Sequence, residues 1–412
     1  MSTPESLYRN AIDLNRYSNS VARRVINAYN DIILDAVNQL RTIEDLDESF
    51  KAARLRSILA QLKESLATWA GDSTELTAIE LQGLAELQSE FVEEQLKKVL
   101  PRGSRNIVRT VEISPQFAQS VVTTDPTQIN VVTLSDDLFA AVQGAPQTFS
   151  LTAAQGATIT LPNGKIVEKA FRGIAVEQAE RFSQVVRQGL LTGEPTPAIA
   201  KRLKGTLERS EDRLRFGEPA TTAGQRRAAG IKDTVARGGD ATRMANNQIT
   251  TLVRTSINQV ANAASQQVYE ANQDITKKYR YVATLDSRTS AICRALDGRE
   301  FEYGKGPKPP QHFNCRSTTV AVIDYEGLGF DPPPRGKRAA QGGMVPADQS
   351  YGQWLAKQSK ATQAEALGKS KVPYFEKLSA KHGPKDAIAK LVRDDGSELT
   401  LQDLRRRYGK LD

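Results

Sequence analysis

The sequence predicts an α+β protein, on three observations. The first hundred residues carry apolar side chains at three- and four-residue steps, the pattern of long amphipathic helices. A β-branched stretch poor in helix signals comes next. Further on, a long helical pattern leads into two short β-like runs that flank a Gly- and Pro-rich loop. The expected organisation is a helical N-terminal region over 1–100, a small β-rich insertion over 101–172, a mixed α/β core over 173–330, and a connector with a basic helical tail over 331–412. No alternating βαβ series and no Gly-rich phosphate loop occurs, which argues against a doubly wound sheet.

In the front region, Leu14, Val21, Val25, Ala28, Ile32, Leu40 and Ile43 form one apolar run. Leu55, Ile58, Leu59, Leu62 and Leu66 form a second, and Leu76, Ile79, Leu84, Leu87, Phe91, Leu96 and Val99 a third. Asp72-Ser73-Thr74-Glu75 has the composition of a cap for the third helix. Pro101-Arg102-Gly103 ends this region. Ile107–Ile113 alternates, Ile129–Leu134 is β-branched, and Asn163-Gly164 between two apolar stretches predicts a hairpin over 158–167. From Gly173 a helical face returns through Ile174, Ala179, Phe182, Val185, Val186 and Leu190, and Pro197 opens the next helix.

The longest regular pattern is near 241–272. Ile249, Val253, Ile257, Val260, Ala264 and Val268 step by four, four, three, four and four, which keeps one stripe on a core. Arg254-Thr255, Asn258, Asn262 and Gln266 lie off that stripe. Strands are expected at Tyr279–Thr284 and Ser317–Ile323, paired with each other.

Composition excludes several classes. No run approaches the roughly 20 apolar residues that span a bilayer, and Met1–Ser6 lacks the basic and apolar regions of a signal peptide. Two cysteines cannot build a disulfide framework, which fits a reducing compartment. The net charge of +8 is uneven: −5 over residues 1–100, balanced over 101–200, and +13 over 201–412. A field of that sign favours polyanions at the rear. Within 201–247 there are 11 basic and 6 acidic residues and few large apolar ones. That segment is either a solvated linker or a loop that contacts DNA. Candidate phosphate contacts are Arg226, Arg227, Arg237 and Arg243 there, and Arg335, Lys337 and Arg338 in the connector.

The chemistry-bearing stretch is Asp286-Ser-Arg-Thr-Ser-Ala-Ile-Cys293-Arg-Ala-Leu-Asp-Gly298, then Pro309-Pro-Gln-His312-Phe-Asn-Cys315-Arg316. Both cysteines and one of the two histidines are here. Asp297-Gly298 and Pro309-Pro310 supply the turns that fold the loop back on itself. Cys293, His312 and Cys315 could hold Zn²⁺, with Asp286 as a fourth ligand. They could offer a thiolate–imidazole nucleophile, form a Cys293–Cys315 disulfide after release from the cell, or simply pack the loop.

The order Asp-x-Arg-Thr, Cys-Arg-x-Leu-Asp-Gly, Pro-Pro-x-His-x-x-Cys-Arg resembles the signature of the phage Mu F-like minor head proteins, also called phage head morphogenesis proteins. The resemblance takes in Gly193–Leu203, Arg254-Thr255, and downstream Tyr351–Gln358, Ala366–Ser370 and Leu399–Leu404, so it spans about residues 173–412. This chain has Phe313 where the family commonly has Pro, and Ser317 where it often has a further Cys. The resemblance implies a structural virion component without enzymatic activity, made in the host cytoplasm and placed inside the capsid near the portal in several copies. Its implied partners are the portal protein, the major capsid or scaffolding protein, and packaged double-stranded DNA contacted without sequence preference, with no membrane in the assembled head. It further implies a part in head assembly, and passage of the protein with the genome on ejection. A different class of function is a metal- or thiol-dependent hydrolase using Cys293, His312 and Cys315.

Overall fold

The structure, a computed structural model, describes residues 3–44, 46–115, 117–123, 148–151, 161–204, 239–332 and 336–409. In chain order these form α1 (Thr3–Arg41), α2 (Glu48–Val99), β1 (Thr110–Ile113), α3 (Gln119–Val122), β2 (Thr148–Leu151), α4 (Val167–Leu191), α5 (Thr196–Lys204) and α6 (Gly239–Ala271). Then come β3 (Thr276–Val282), α7 (Ala291–Leu296), β4 (Glu300–Glu302), β5 (Thr318–Ile323), β6 (Lys337–Ala340) and β7 (Gly343–Pro346). The chain ends with α8 (Tyr351–Ala356), α9 (Lys360–Leu367), α10 (Val372–His382), α11 (Pro384–Ala389) and α12 (Leu401–Tyr408). The fold is α+β, with a helical N-terminal region and small sheets. No described helix is long and apolar enough to cross a membrane.

The chain divides into two compact units, one of Met1–Tyr17, Leu81–Gly164 and Thr255–Asp412, the other of Ser18–Glu80 and Lys165–Arg254. The second is all helix among its described residues. Its core is built on Trp69, whose ring lies 5.4 Å from Tyr29 and 5.7 Å, edge-on, from Phe171. The Trp69 indole N–H is satisfied by the Val25 carbonyl at 3.1 Å, and the Tyr29 hydroxyl by Gln178 at 3.3 Å. That satisfaction is what allows two polar-tipped aromatics to be buried.

Two expectations for the front region are corrected. The second and third apolar runs belong to one helix, α2. No proline interrupts it, and the Thr74 hydroxyl of the expected cap is turned elsewhere, as is that of Thr77 just beyond it. Thr74 and Thr77 each donate back to the carbonyl four residues earlier, Ala70 and Ser73, at 2.7 Å. A hydroxyl spent in that way cannot cap a new N-terminus. The expected Asn163-Gly164 hairpin does not form either. The turn is present, with Gly164 at φ +72° and its N–H on Leu161 O. Its second arm, however, is the start of α4, because Val167 and Phe171 bury at helical spacing, both fully. The first arm, and the expected strand at Ile129–Leu134, lie outside the described residues. β1 is shorter than the alternation at 107–113 predicts, since Arg102–Ile107 forms a 3-10 turn, and it pairs with β2 in parallel.

The first unit holds the sheet β4–β3–β5, antiparallel throughout. β3 and β5 pair as expected, with Tyr281 opposite Thr319 and Tyr279 opposite Ala321. Tyr279 and Tyr281 bury on one face while Arg280 meets Glu300 of β4 on the other, 2.6 Å apart. The expected connector at 336–347 is instead the hairpin β6–β7, turned at Gln341-Gly342, with Gly342 at φ +95°.

Residues 348–409, expected as a basic helical tail, are helical and close a core of their own. Tyr351, Trp354, Leu355, Leu367, Phe375, Leu378, Leu391, Leu399 and Leu404 close one core, and Leu285, from the end of β3, completes it. Each such side chain contributes about 1.5–3 kcal/mol by burial. α8 and α12 both open with capping boxes, Ser350 with Gln353 and Thr400 with Asp403.

Gly352 in α8 sits against α11, where an added Cβ would stand 2.0 Å from Pro384 O. Helix propensity alone would make Gly352→Ala stabilising by up to about 1 kcal/mol. Overpacking against backbone reverses that sign, and thermal unfolding should show a loss of about 1–3 kcal/mol. A gain in stability would mean that α8 and α11 do not meet at Gly352.

Candidate functional site

The site forms where the 283–317 loop returns to the sheet. Ser290 caps α7, its hydroxyl accepting from Cys293 N at 3.4 Å, and this places Cys293 in the first turn. The return is made by Gly298 at φ +75° and by the Pro309-Pro310 turn, whose peptide is cis. Asn314 takes φ +59°, a value that Asn tolerates better than most residues, and Cys315 N–H closes a turn on His312 O at 3.2 Å.

Cys293, His312 and Cys315 converge, as the sequence predicts, with one donor atom of each within 4.8 Å of the others. Cys293 Sγ lies 3.7 Å from Cys315 Sγ and 3.3 Å from His312 Nε2. The sulfurs are not joined, and both residues are buried, 1% and 3% exposed. His312 Nδ1 lies 2.8 Å from Phe313 O, which only accepts, so Nδ1 carries a proton and Nε2 faces the sulfurs and Ser290 Oγ, 2.8 Å away. The Tyr281 hydroxyl lies 3.2 Å from Cys293 Sγ. Burial, and then the two thiols, push the Tyr281 phenol far up, so it stays protonated. The Cys293 thiol against Cys315, with His312 beside it, holds Cys315 well below the usual thiol value in spite of burial, while Cys293 is pushed up. Burial pulls His312 down, but the Cys315 sulfur outweighs it and the imidazole is raised.

Asp286 is not part of this trio. Arg316 holds its carboxylate with two bonds, one of them 2.8 Å, and Arg288 N and Thr289 Oγ1 each donate to Oδ1 at 3.1 Å. Among the donors named from the sequence, those gathered in one place are two thiols and one imidazole.

The nucleic-acid candidates fare differently. Arg226, Arg227, Arg237 and Arg335 lie outside the described residues, and Arg243 falls in the first turns of α6. Lys337 is exposed on β6. Arg338 is corrected: it is 4% exposed and is spent on Asp297, Ala283 O and Gln349 O, so it is closed to a phosphate. Strand alternation explains the difference, since neighbouring residues on β6 face opposite ways.

Four residues with a structural part in the site were seen in the sequence only as off the apolar stripe. Thr255, Asn258, Asn262 and Gln266 step by three, four and four, which is itself a helical face. That face grips the returning chain. Thr255 Oγ1 accepts from Asn314 N at 3.0 Å, and Asn258 donates to Ser317 O at 3.0 Å. Asn262 accepts from Thr319 N at 3.2 Å, and Gln266 donates to Thr319 Oγ1 at 2.8 Å. A polar row at helical spacing, next to an apolar one, was the available signal.

Acid should loosen the loop through Asp286. Burial raises its pKa, but the Arg316 guanidinium, with Arg288 and Thr289, lowers it further, so the net shift is down. A depressed carboxylate stabilises the fold fully above its unfolded value of about 4 and ceases to do so as pH falls through the folded one. The protection of amides 286–316 against hydrogen exchange, taken relative to their intrinsic rates at each pH, should therefore fall below about pH 4. Arg316→Gln leaves burial dominant and should move that onset to higher pH. An unmoved onset would show that Arg316 does not set it.

No curated protein and no solved structure matches the chain. Residues 180–320, a partial segment that holds β3, β4, the first half of β5 and the whole Cys293–His312–Cys315 cluster but not the body at 348–409, match the family model described as Phage Mu protein F like protein, the family that the Cys-Arg-x-Leu-Asp-Gly and His-x-x-Cys-Arg motifs resemble.

Proposed function

We propose that this chain is a structural head-morphogenesis protein of a tailed bacteriophage, a virion component inside the capsid near the portal. The observation that carries the proposal is the match of residues 180–320 to the Phage Mu protein F like family. A structural rather than catalytic role is supported by how the matched segment uses its polar groups. The α6 polar row, Asp286–Arg316 and the Cys293–His312–Cys315 cluster each hold one part of the returning loop to another. Both cysteines are buried, so neither sulfur is presented to a substrate as a nucleophile.

The rear half, with its excess of basic residues, would face the packaged genome and screen phosphates without reading bases. The portal protein and the capsid or scaffolding protein are the partners in this reading, in several copies per head.

Quantitative mass spectrometry of purified heads from the encoding phage tests the assignment. The protein should co-purify with procapsids or mature heads at a fixed copy number, and heads assembled without it should be defective. Absence from both particle types would overturn the reading. DNA binding has its own measurement. It should be sequence-independent and weaken steeply with salt. Replacing Arg226, Arg227, Arg237, Arg243, Arg335 and Lys337 with Ala should lower affinity uniformly and flatten the salt slope by about 0.9 for each phosphate no longer neutralised. An unchanged slope would remove DNA from the proposal.

A further inference from the structure

We propose that Cys293, His312 and Cys315 bind one zinc ion, through Sγ, Nε2 and Sγ, with a water beside Ser290 Oγ in the fourth position. This goes beyond the head-protein reading and does not depend on it. Three observations support it. The first is spacing. Zinc at the ordinary thiolate and imidazole distances sets its two sulfurs about 3.8 Å apart and each sulfur about 3.6 Å from the nitrogen in a tetrahedral site. The structure has 3.7 Å between the sulfurs and 3.3 Å from Cys293 Sγ to Nε2, each within a few tenths of an ångström of that spacing, and Cys315 Sγ lies within 4.8 Å of the imidazole donor.

The second observation is orientation. Packing three small side chains together does not require either imidazole nitrogen to face the sulfurs. Here the Phe313 carbonyl holds the Nδ1 proton, and Nε2 is presented to the Cys293 sulfur 3.3 Å away. A backbone acceptor behind the imidazole is the usual device that fixes a ligating histidine. The Tyr281 hydroxyl, 3.2 Å from Cys293 Sγ, is placed to donate to a thiolate in the same outer shell.

The third observation is the donor set and its charge. The two thiols and one imidazole suit zinc and disfavour magnesium or calcium, which take oxygen. The nearby carboxylate that could widen the choice, Asp286, is already held by Arg316. Two thiolates, one neutral imidazole and one Zn²⁺ sum to zero, as a buried site requires. Binding displaces waters from hydrated Zn²⁺, forms two Zn–S bonds and one Zn–N bond, and releases to solvent every proton still carried by the two sulfurs and by Nε2. The Ser290 hydroxyl, 2.8 Å from Nε2, lies on the partly exposed side of the cluster, where the fourth position opens.

The test uses the full-length protein purified under reducing conditions. Elemental analysis should find one zinc per chain. X-ray absorption at the zinc edge should show two sulfurs near ~2.3 Å and nitrogen or oxygen near ~2.0–2.1 Å. After chelation, titration with Co²⁺ should give the thiolate charge-transfer band of a tetrahedral site. Cys293→Ser and Cys315→Ser should each weaken cobalt binding by more than about 100-fold, and Tyr281→Phe by about 10–100-fold, as expected for an outer partner. Absorption on the unaltered protein needs no variant to fold. A zinc shell without two sulfurs, or the absence of any zinc or cobalt uptake, overturns the proposal. Head association is measured separately, so loss of the metal site and loss of the head reading are told apart.

Discussion

The first unit depends on one buried carboxylate. Asp297 has a fully enclosed side chain and accepts from four donors. Ala283 N and Tyr351 N each reach it at 2.7 Å, and Arg338 reaches it with both terminal nitrogens, at 3.0 and 3.2 Å. These donors come from the end of β3, the start of α8 and the β6–β7 hairpin. Arg338 in turn donates to Ala283 O and Gln349 O, so no charge is left uncompensated. Taking a carboxylate and a guanidinium out of water costs several kcal/mol each, and only geometry this complete offsets it. The arrangement also explains why the Cys-Arg-x-Leu-Asp-Gly run ends as it does. Asp297 closes the knot, and Gly298 takes the positive φ that lets the chain return along Tyr281.

Two further anchors make the loop around that knot a defined object. On one side α6 holds the returning strand through its polar row, each amide bonded to backbone or to Thr319. On the other, Arg294 is buried against Ala366 O, Glu398 and the Tyr351 ring, which ties α7 to the C-terminal helices. The Cys293–His312–Cys315 cluster sits between these anchors, so its three donors are held before any ligand arrives. Preorganisation of this kind is what a metal site or a structural clamp requires.

Much of this was legible in the sequence, and the exceptions have physical causes. The convergence of the two cysteines and His312 followed from turn residues and from two β-like runs whose pairing closes the loop. The α6 stripe followed from its period. Periodicity could not supply the destination of polar groups. Asp72-Ser73-Thr74-Glu75 looks like a cap, and only the structure shows the Thr74 hydroxyl turned back onto α2. Val167 after a turn looks like a second hairpin arm, yet it buries as the first residue of α4. Arg338 looks like its exposed neighbour Lys337 until strand alternation puts it inside. The 348–409 segment looks like a charged tail because its apolar residues are spread over five short helices. They form a core only once Leu285 and the Asp297 knot bring them to β3.

Native-state hydrogen exchange at the Ala283 and Tyr351 amides tests this dependence most directly, in the wild type, Asp297→Asn, Arg338→Met and the double variant. If the knot organises the unit, each single change lowers the opening free energy at both amides by about 3–5 kcal/mol, because a buried partner is left unpaired. The double change then costs less than the sum of the two, with a coupling above about 1 kcal/mol. Protection within about 0.5 kcal/mol of wild type in both single variants, with additive effects, would contradict the account.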